Sequence, residues 1–245
     1  MNLSNINYIF FDVDGLLINS EMLSWFSFKQ ACALYNLSID KDVYLNTIGT
    51  SWESTFETLI KVYGTKYPYD LIYRDYQIIY QNREREITTA DFLKEGVIDI
   101  LNYCQESNIT AVAVSSTGRI LLNQRLERFG LAPYFSAIIS CDSVTSPKPA
   151  PDVYLYTLNI VGCTQEECIV IEDSNHGVDA ALSANIPVIQ VPDIVAPLEH
   201  FKYNTLYHKL TSLNEVMIEL KSAKDTDEVE TGTSTHVLKQ NTRPI

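Results

Sequence analysis

The stretch YIFFDVDGLL, residues 8–17, decides the predicted fold. It opens with aromatic and aliphatic residues, and a short apolar run of this kind is typical of a strand buried on both faces of a sheet. Asp12 and Asp14 follow at a spacing of two, which puts both carboxylates on the same side of an extended chain. Burying such a pair is costly unless a cation or a hydrogen-bond network compensates. Gly15 then allows a sharp turn and a close approach of the backbone to a ligand.

The composition of the 245-residue chain, with 46% hydrophobic residues, is that of a globular protein. No apolar run is long enough for a transmembrane helix and the N-terminus does not resemble a signal peptide, so we expect a cytoplasmic protein. Five scattered cysteines without a CxxC pair fit reduced thiols better than disulfides or a zinc site. The net charge of −13 argues against nucleic acid or an anionic membrane as a partner. We expect a monomer or a weak homodimer.

The pattern of apolar residues divides the chain into three parts. Residues 21–92 are helical in pattern and show no signal of a buried strand, which predicts an all-helical insert. Residues 1–20 and 93–221 carry five short apolar strands that alternate with helices, the pattern of a parallel sheet covered on both faces. Residues 222–245 lose the apolar pattern and are predicted to form a flexible polar tail.

Reactive side chains follow four of the predicted strands. They are Asp12, Asp14, Ser115, Lys148, Glu172 and Asp173. The carboxyl ends of parallel strands form the ligand crevice of such a sheet, so these groups are expected to converge. Four acids together would repel one another, which implies a hard cation such as Mg²⁺ held by oxygen ligands. Mg²⁺ with a lysine and helix-end amides makes a phosphate site, and phosphoryl transfer to a carboxylate is then the natural chemistry.

Each of these residues also has a purely structural interpretation. The first pair of acids fits a solvated turn, Lys148 fits a solvated loop, and Ser115 fits a helix cap. Glu172 and Asp173 fit an acidic helix start, which the helix dipole favours. Singly, these interpretations are the better ones; the joint occurrence of all the residues in this order favours the site.

Four segments resemble the four motifs of the haloacid dehalogenase superfamily, most closely those of its β-phosphoglucomutase-like branch. The segments are DVDG at 12–15 with NSE at 19–21, the strand that ends at Ser115, KPAPD at 148–152, and EDS at 172–174 with Gly177 and two alanines at 180–181. The resemblance covers about residues 8–191. It implies an α/β fold: a Rossmann-like, three-layer core with a parallel sheet, and an inserted all-helical cap that is mobile.

The resemblance also implies a role for each matched residue. Asp12 is expected to be the nucleophile that forms an aspartyl-phosphate. Asp14 is expected to protonate the leaving oxygen and later to deprotonate the attacking water. Ser115 is expected to hydrogen-bond the phosphoryl oxygens, and Lys148 to neutralise their charge and that of Asp12.

The same resemblance implies the ligands of Mg²⁺. Asp12, the backbone carbonyl of Asp14, and Asp173 are expected to hold the ion. Glu172 is expected either to bind it as well or to stand beside it in the surrounding shell.

The cap side departs from the sugar mutases of this branch. Ser24 stands where they have a His that restrains the general acid, and the Arg of their cap loop is absent, with Trp52 in its place. Gly49, Thr50 and Trp52 of this loop, together with Ser116, are expected to contact the substrate. Six cap tyrosines could line a pocket for hydroxylated ligands or pack the helices, and we favour packing; they are Tyr63, Tyr67, Tyr69, Tyr73, Tyr76 and Tyr80.

Taken together, the sequence predicts a Mg²⁺-dependent phosphatase of a small phosphorylated metabolite, a sugar or polyol phosphate, that works through an aspartyl-phosphate. A sugar-phosphate mutase is the alternative, which the missing His and Arg disfavour. A binding module without activity is disfavoured by the full set of reactive residues. True dehalogenases lack the second aspartate, so Asp14 argues against dehalogenation.

Overall fold

A six-stranded parallel sheet forms the centre of the molecule in the computed structural model, which describes residues 3–48 and 52–234. Its strands are β1 (Tyr8–Phe11), β2 (Thr110–Ser115), β3 (Ala137–Ser140), β4 (Cys168–Glu172), β5 (Val188–Gln190) and β6 (Tyr207–Lys209). Their order across the sheet is β3-β2-β1-β4-β5-β6, and every neighbouring pair is parallel. The predicted buried strand β1 therefore has a partner on each side.

Helices cover both faces of the sheet, as predicted. The helices are α1 (Ser20–Leu34), α2 (Lys41–Leu45), α3 (Trp52–Tyr63), α4 (Tyr69–Glu86), α5 (Thr89–Phe92), α6 (Val97–Glu106), α7 (Arg119–Arg128), α8 (Asp152–Val161), α9 (Asn175–Ser183) and α10 (Leu213–Ser234). Ile9 and Phe11 of β1 pack into one apolar cluster with residues of α6, α7 and α10. Phe10 packs on the opposite face with residues of α8 and α9. This alternation of side chains produces the three-layer Rossmann-like core.

Helices α1 to α5 form the predicted all-helical insert between β1 and α6. A third apolar cluster lies wholly within this insert and includes Trp25, Phe28, Leu59, Tyr69 and Ile72. The insert therefore has a core of its own, because its helices bury aromatic faces against one another rather than against the sheet.

The structure corrects two expectations about the C-terminal part of the chain. The sixth strand, β6, has only three residues, YHK, and is too short and polar for the apolar pattern to predict. The flexible tail predicted from Ser222 is wrong at its start, because α10 continues to Ser234. Ala223 packs against the apolar cluster that contains Ile9 and Phe11, and Lys224 Nζ donates to the Ser107 carbonyl at 3.0 Å. The local sequence pattern predicts neither contact. Within the described ranges, no helix combines the length and apolar character needed to cross a bilayer.

Candidate active site

Five of the predicted site residues come together at the carboxyl edge of the sheet. Phe11 of β1 pairs with Ala113 of β2 and Ile171 of β4, so the residues that follow these positions emerge side by side. Asp12, Ser115, Lys148, Glu172 and Asp173 are all buried there. β1 lies between β2 and β4, and this position explains why residues far apart in the sequence meet.

Lys148 is the buried cation of the site, not a solvated loop lysine. Its side chain is 3% exposed, and its Nζ donates to Asp12 Oδ1 and Glu172 Oε1, each at 2.6 Å, and to the Val114 carbonyl at 3.1 Å. These contacts use all three donors of the ammonium group. Burial lowers the pKa of Lys148, but Asp12 and Glu172 outweigh this effect and raise it well above its usual value. Lys148 therefore stays charged.

Glu172 is fully buried, and its carboxylate is saturated with hydrogen bonds. Besides Lys148, the Tyr154 hydroxyl donates to its Oε1 at 3.3 Å. Its Oε2 accepts from the backbone N–H groups of Asp173 and Ser174 at 3.0 and 2.9 Å, and from Ser174 Oγ at 3.0 Å. A Cβ on Gly177 would come within 1.7 Å of Glu172 Oε1, so only glycine fits at that position of α9. The carboxylate is thus fixed to Lys148 and to the start of α9.

The carboxylates of Asp12, Glu172 and Asp173 offer one oxygen each within 4.8 Å of one another. Burial, followed by the neighbouring acids Glu172 and Asp12, raises the pKa of Asp173 well above its usual range. Burial also raises the pKa of Asp12, while Lys148 opposes the shift. Gly15 has a φ of 85°, and a Cβ there would come within 2.3 Å of Asp173 Oδ2, so the backbone approaches this carboxylate closely. The crowded buried oxygens fit a hard divalent cation.

Asp14 has different partners and faces a different part of the molecule. Its Oδ2 accepts from Thr117 Oγ1 at 2.7 Å and from Ser115 Oγ at 3.2 Å. Its Oδ1 accepts from Arg125 NH1 at 2.8 Å. Ser115 Oγ also accepts from the Thr117 backbone N–H at 2.9 Å, so it bridges the first turn of the loop and Asp14.

Arg125 of α7 is a site residue that the sequence analysis missed. Its Nε donates to Glu84 Oε1 of α4 at 2.7 Å, and both side chains are buried. Burial lowers the pKa of Arg125, but Asp14, Tyr80 and Glu84 outweigh this effect and raise it above its usual value. Arg125 therefore stays charged. The sequence offered one signal for this residue: Arg125 stands on the same face of a predicted helix as the apolar residues Leu122 and Leu126, which are buried.

A cavity of about 410 Å³ lies between this edge of the sheet and the helical insert. Asp12, Asp14, Ser115, Ser116 and Asp173 line it on the side of the sheet. The insert contributes the residues Glu21, Ser24, Phe28, Tyr44, Thr47, Ile48, Trp52, Thr55, Tyr73, Tyr76, Gln77, Tyr80 and Gln81. The predicted contact residues Ser116 and Trp52 thus line the cavity, whereas Gly49 and Thr50 lie outside the described residues.

Aromatic rings form much of the insert wall of the cavity. Trp52 stacks on Tyr73 with ring centroids 3.9 Å apart, and Tyr76 lies parallel to Trp52 at 6.2 Å. Of the six cap tyrosines, Tyr73, Tyr76 and Tyr80 line the cavity, and the other three pack within the insert. Tyr76 and Tyr80 also pack against the apolar clusters and Tyr73 stacks on Trp52, so packing and cavity lining occur together in these three residues.

Ser24 stands where the sugar mutases have a His, and its hydroxyl contacts two other residues of the insert. Its Oγ accepts from the Tyr44 hydroxyl at 2.6 Å and lies 2.9 Å from the Tyr76 hydroxyl. Nearby, burial and the carboxylates of Asp14 and Asp193 raise the pKa of Glu21 to about 7. The insert wall thus combines hydroxyls, aromatic rings and a carboxyl group that titrates near neutrality.

Comparison with known proteins connects this site to a family. The family model of haloacid dehalogenase-like hydrolases matches residues 9–191. A phosphorylated carbohydrates phosphatase of Thermotoga maritima is 27% identical over 180 residues, 73% of this chain and 81% of that protein. The pyrophosphatase PpaX of Oceanobacillus iheyensis is 29% identical over 188 residues, 76% of this chain and 84% of that protein.

Two further matches bear on length and fold. Protein SUPPRESSOR OF QUENCHING 1, chloroplastic, of Arabidopsis thaliana is 29% identical over 189 residues; the match covers 76% of this chain but only 18% of that longer protein. The crystal structure of β-phosphoglucomutase from Clostridium difficile matches with a TM-score of 0.73 at 21% identity, over 91% of this chain and 99% of the other, and shows the shared fold. The chain belongs to the haloacid dehalogenase-like hydrolases and is a phosphoric monoester hydrolase.

Proposed function

We propose that the protein is a Mg²⁺-dependent phosphatase of a small phosphorylated sugar or polyol, and that it works through an aspartyl-phosphate on Asp12. The observation that carries the proposal is that the two aspartates have different hydrogen-bonding partners. Asp12 lies against the Lys148 ammonium at 2.6 Å, whereas Asp14 is held by hydroxyls and Arg125 at the cavity wall. This difference suits one carboxylate to attack phosphorus and the other to move a proton.

Asp12, Asp173 and the backbone carbonyl of Asp14 are the proposed ligands of Mg²⁺. Glu172 is the proposed support beside them, because its oxygens already accept from Lys148, Tyr154, Ser174 and the Asp173 N–H. When bound by these residues, the ion would supply positive charge that stabilises the phosphoryl oxygens.

The reaction consists of two phosphoryl transfers. In the first, Asp12 forms a bond to phosphorus, the bond from phosphorus to the ester oxygen breaks, and Asp14 gives that oxygen a proton. In the second, Asp14 takes a proton from water while the water oxygen bonds to phosphorus and the Asp12–phosphorus bond breaks. Lys148 stabilises the charge on the phosphoryl oxygens, and Ser115 Oγ and the N–H groups of the following loop orient them.

The charge of the cavity supports a leaving group without further negative charge. Among the described lining residues, Asp12, Asp14, Glu21 and Asp173 are acidic, and Arg125 is the only Lys or Arg. Arg125 is already paired with Asp14 and Glu84. A second phosphate or carboxylate on the substrate would therefore meet no free cation among the described lining residues.

The polar groups of the cavity support a hydroxylated leaving group. Gln77, Gln81 and Glu21 offer donors and acceptors, and the stacked Trp52 and Tyr73 offer flat apolar faces. Sugar and polyol phosphates have this mixture of hydroxyls and apolar C–H surfaces. The similarity to the phosphorylated carbohydrates phosphatase of Thermotoga maritima agrees with this choice.

The experiment is a phosphate-release assay against a panel of phosphate esters. The panel contains hexose, pentose and polyol monophosphates, with pyrophosphate, a bisphosphate and phosphoglycolate as anionic competitors. We expect the neutral monophosphates to be hydrolysed with Mg²⁺, and EDTA to abolish turnover that added Mg²⁺ restores. Faster turnover of pyrophosphate or phosphoglycolate than of every sugar phosphate would overturn the proposed substrate class, and activity unaffected by EDTA would overturn the metal.

A further inference from the structure

A buried chain of charges joins the helical insert to Asp14. Arg125 NH1 donates to Asp14 Oδ1 at 2.8 Å, and Arg125 Nε donates to Glu84 Oε1 at 2.7 Å. The side chains of Arg125 and Glu84 are 8% and 9% exposed. Ions buried to this degree need well-oriented partners, and a guanidinium can serve two carboxylates from different edges of its planar fork.

Helix α4 supplies both the Glu84 contact and part of the cavity wall. Tyr73, Tyr76 and Tyr80 of the same helix line the cavity, and the Arg125 guanidinium carbon lies 5.1 Å from the centre of the Tyr80 ring. Helix α4 is therefore one element with two functions. Its tyrosines form the surface that would meet the leaving group, and its Glu84 carboxylate binds Arg125.

The three partners of Asp14 differ in what they connect. Ser115 and Thr117 belong to the end of β2 and the loop behind it, so they fix Asp14 to the core alone. Arg125 also belongs to the core, through α7, but it reaches the insert through Glu84. Among these three contacts, only the one from Arg125 transmits the position of α4 to Asp14.

We infer that Arg125 is a positioning residue for Asp14, and that Glu84 makes the orientation of this acid–base group depend on helix α4 of the insert. The inference rests on the proposed function, because there Asp14 is the group that moves the proton. A displacement of α4 moves Glu84 relative to Arg125. The Arg125 guanidinium then shifts, and the orientation of the Asp14 carboxylate changes with it. The catalytic carboxylate then takes its working orientation only when the cavity wall is in place.

The primary test replaces Arg125 and compares it with a matched arginine. Arg128 lies one turn further on α7 and donates to the Arg85 and Ile87 carbonyls at 3.0 Å, so it also joins α7 to the insert but does not touch Asp14. We expect Arg125→Ala to lower kcat by about 10–100-fold, since a misplacement of about 1 Å can have an effect of this size. KM should stay within about threefold, since the residue does not bind the ester directly. Arg128→Ala should keep wild-type kcat.

Two readouts separate positioning from a merely structural role. The defect of Arg125→Ala in the first transfer should shrink with p-nitrophenyl phosphate, because an activated leaving group needs little proton transfer from Asp14, whereas Arg128→Ala should match the wild type with both types of ester. Added guanidinium chloride should restore part of the activity of Arg125→Ala and should not raise that of Arg128→Ala. Glu84→Gln, which keeps the size and one acceptor, should lower kcat by about 3–10-fold.

Arg125→Lys decides the matter if Arg125→Ala fails to fold, since it keeps a charge but cannot serve both carboxylates with a planar fork. We expect it to fold and to show the same dependence on the leaving group as Arg125→Ala. This inference alone would be overturned if the wild-type protein hydrolysed the panel while Arg125→Lys and Glu84→Gln both matched Arg128→Ala in kcat and in leaving-group dependence. A wild-type protein that released no phosphate from the panel would overturn the proposed function and the inference together.

Discussion

Asp12 and Asp14 stand two residues apart, yet the two regions around them differ in kind. The Asp12 region is closed: the Asp12 and Lys148 side chains are 9% and 3% exposed, and the partners of Lys148 belong to the core. The Asp14 region is open: its side chain is 20% exposed, and its partner Arg125 also binds the insert. One region is fixed by the sheet, whereas the other depends on how core and insert meet. This difference is the basis for proposing two different tasks for two identical side chains.

The largest effect should come from the closed region. Asp12→Asn removes the proposed nucleophile while it keeps the shape of the side chain. We expect turnover to fall below about one ten-thousandth of the wild-type rate, and no acid-labile phosphate to be trapped on the protein. Rapid quenching with radiolabelled substrate measures both. Wild-type turnover in this variant would end the assignment of Asp12.

In the open region, Asp14→Asn should slow both transfers without abolishing phosphate binding. The loss should be about 10²–10⁴-fold, the usual value of general acid–base assistance. An activated leaving group such as p-nitrophenol needs little protonation, so the defect in the first transfer should shrink with p-nitrophenyl phosphate. The second transfer still needs the base, and the phosphorylated protein should therefore accumulate. Equal defects with both types of ester, and no accumulation, would contradict the separate role of Asp14.

The closed region should also support stability. Lys148→Met leaves the buried carboxylates of Asp12 and Glu172 without their cation, at a cost of about 3–5 kcal/mol in the free energy of unfolding. Without Lys148 the folded-state pKa of Asp12 lies still further above its unfolded value, so the variant should lose stability as the pH rises. Thermal unfolding in EDTA at pH 5 and pH 8 measures this, with the exposed Lys209→Met as the control. A defect no larger at pH 8 than at pH 5 would contradict the explanation.

The smallest effect concerns Glu21 in the open region. Its folded-state pKa of about 7 exceeds the unfolded value, so the protein holds this proton more tightly when folded. That stabilisation is fully present below the unfolded pKa and is lost as the pH rises towards 7. Glu21→Gln does not titrate, and it should gain about 3 kcal/mol relative to the wild type between pH 4 and pH 8. The exposed Glu199→Gln should show no such gain; an equal gain in both variants would refute the shift at Glu21.

The sequence predicted the closed region better than the open one. The residues of the closed region follow apolar strands, and a parallel sheet brings the ends of its strands together whatever the distance in sequence. Asp12, Lys148, Glu172 and Asp173 were therefore predictable from local patterns and from the resemblance. Their structural surroundings agree with the predicted convergence, and their roles remain proposals.

The open region escaped prediction because its contacts are made by long side chains between helices. Glu84 and Arg125 lie on amphipathic helices whose patterns show which face is buried but not which residues of another helix they meet. Thr117 was missed because a threonine behind a strand has many structural uses. β6 was missed because its three residues carry no apolar signal, and it pairs only because β5 offers an edge.

The central position of β1 in the sheet has a consequence for the order in which the chain can fold. Tyr8 pairs with Thr110 on one side and Cys168 on the other, so β1 leaves the ribosome long before either neighbour exists. Pairings at such sequence separation form slowly, because the intervening chain must first be brought together. A nascent chain that ends before β4 lacks Glu172 and Asp173, so Asp12 has no complete acid cluster to join. Asp12 is synthesised well before Glu172 and Asp173, so its complete surroundings can be assembled only after the residues between them have been made.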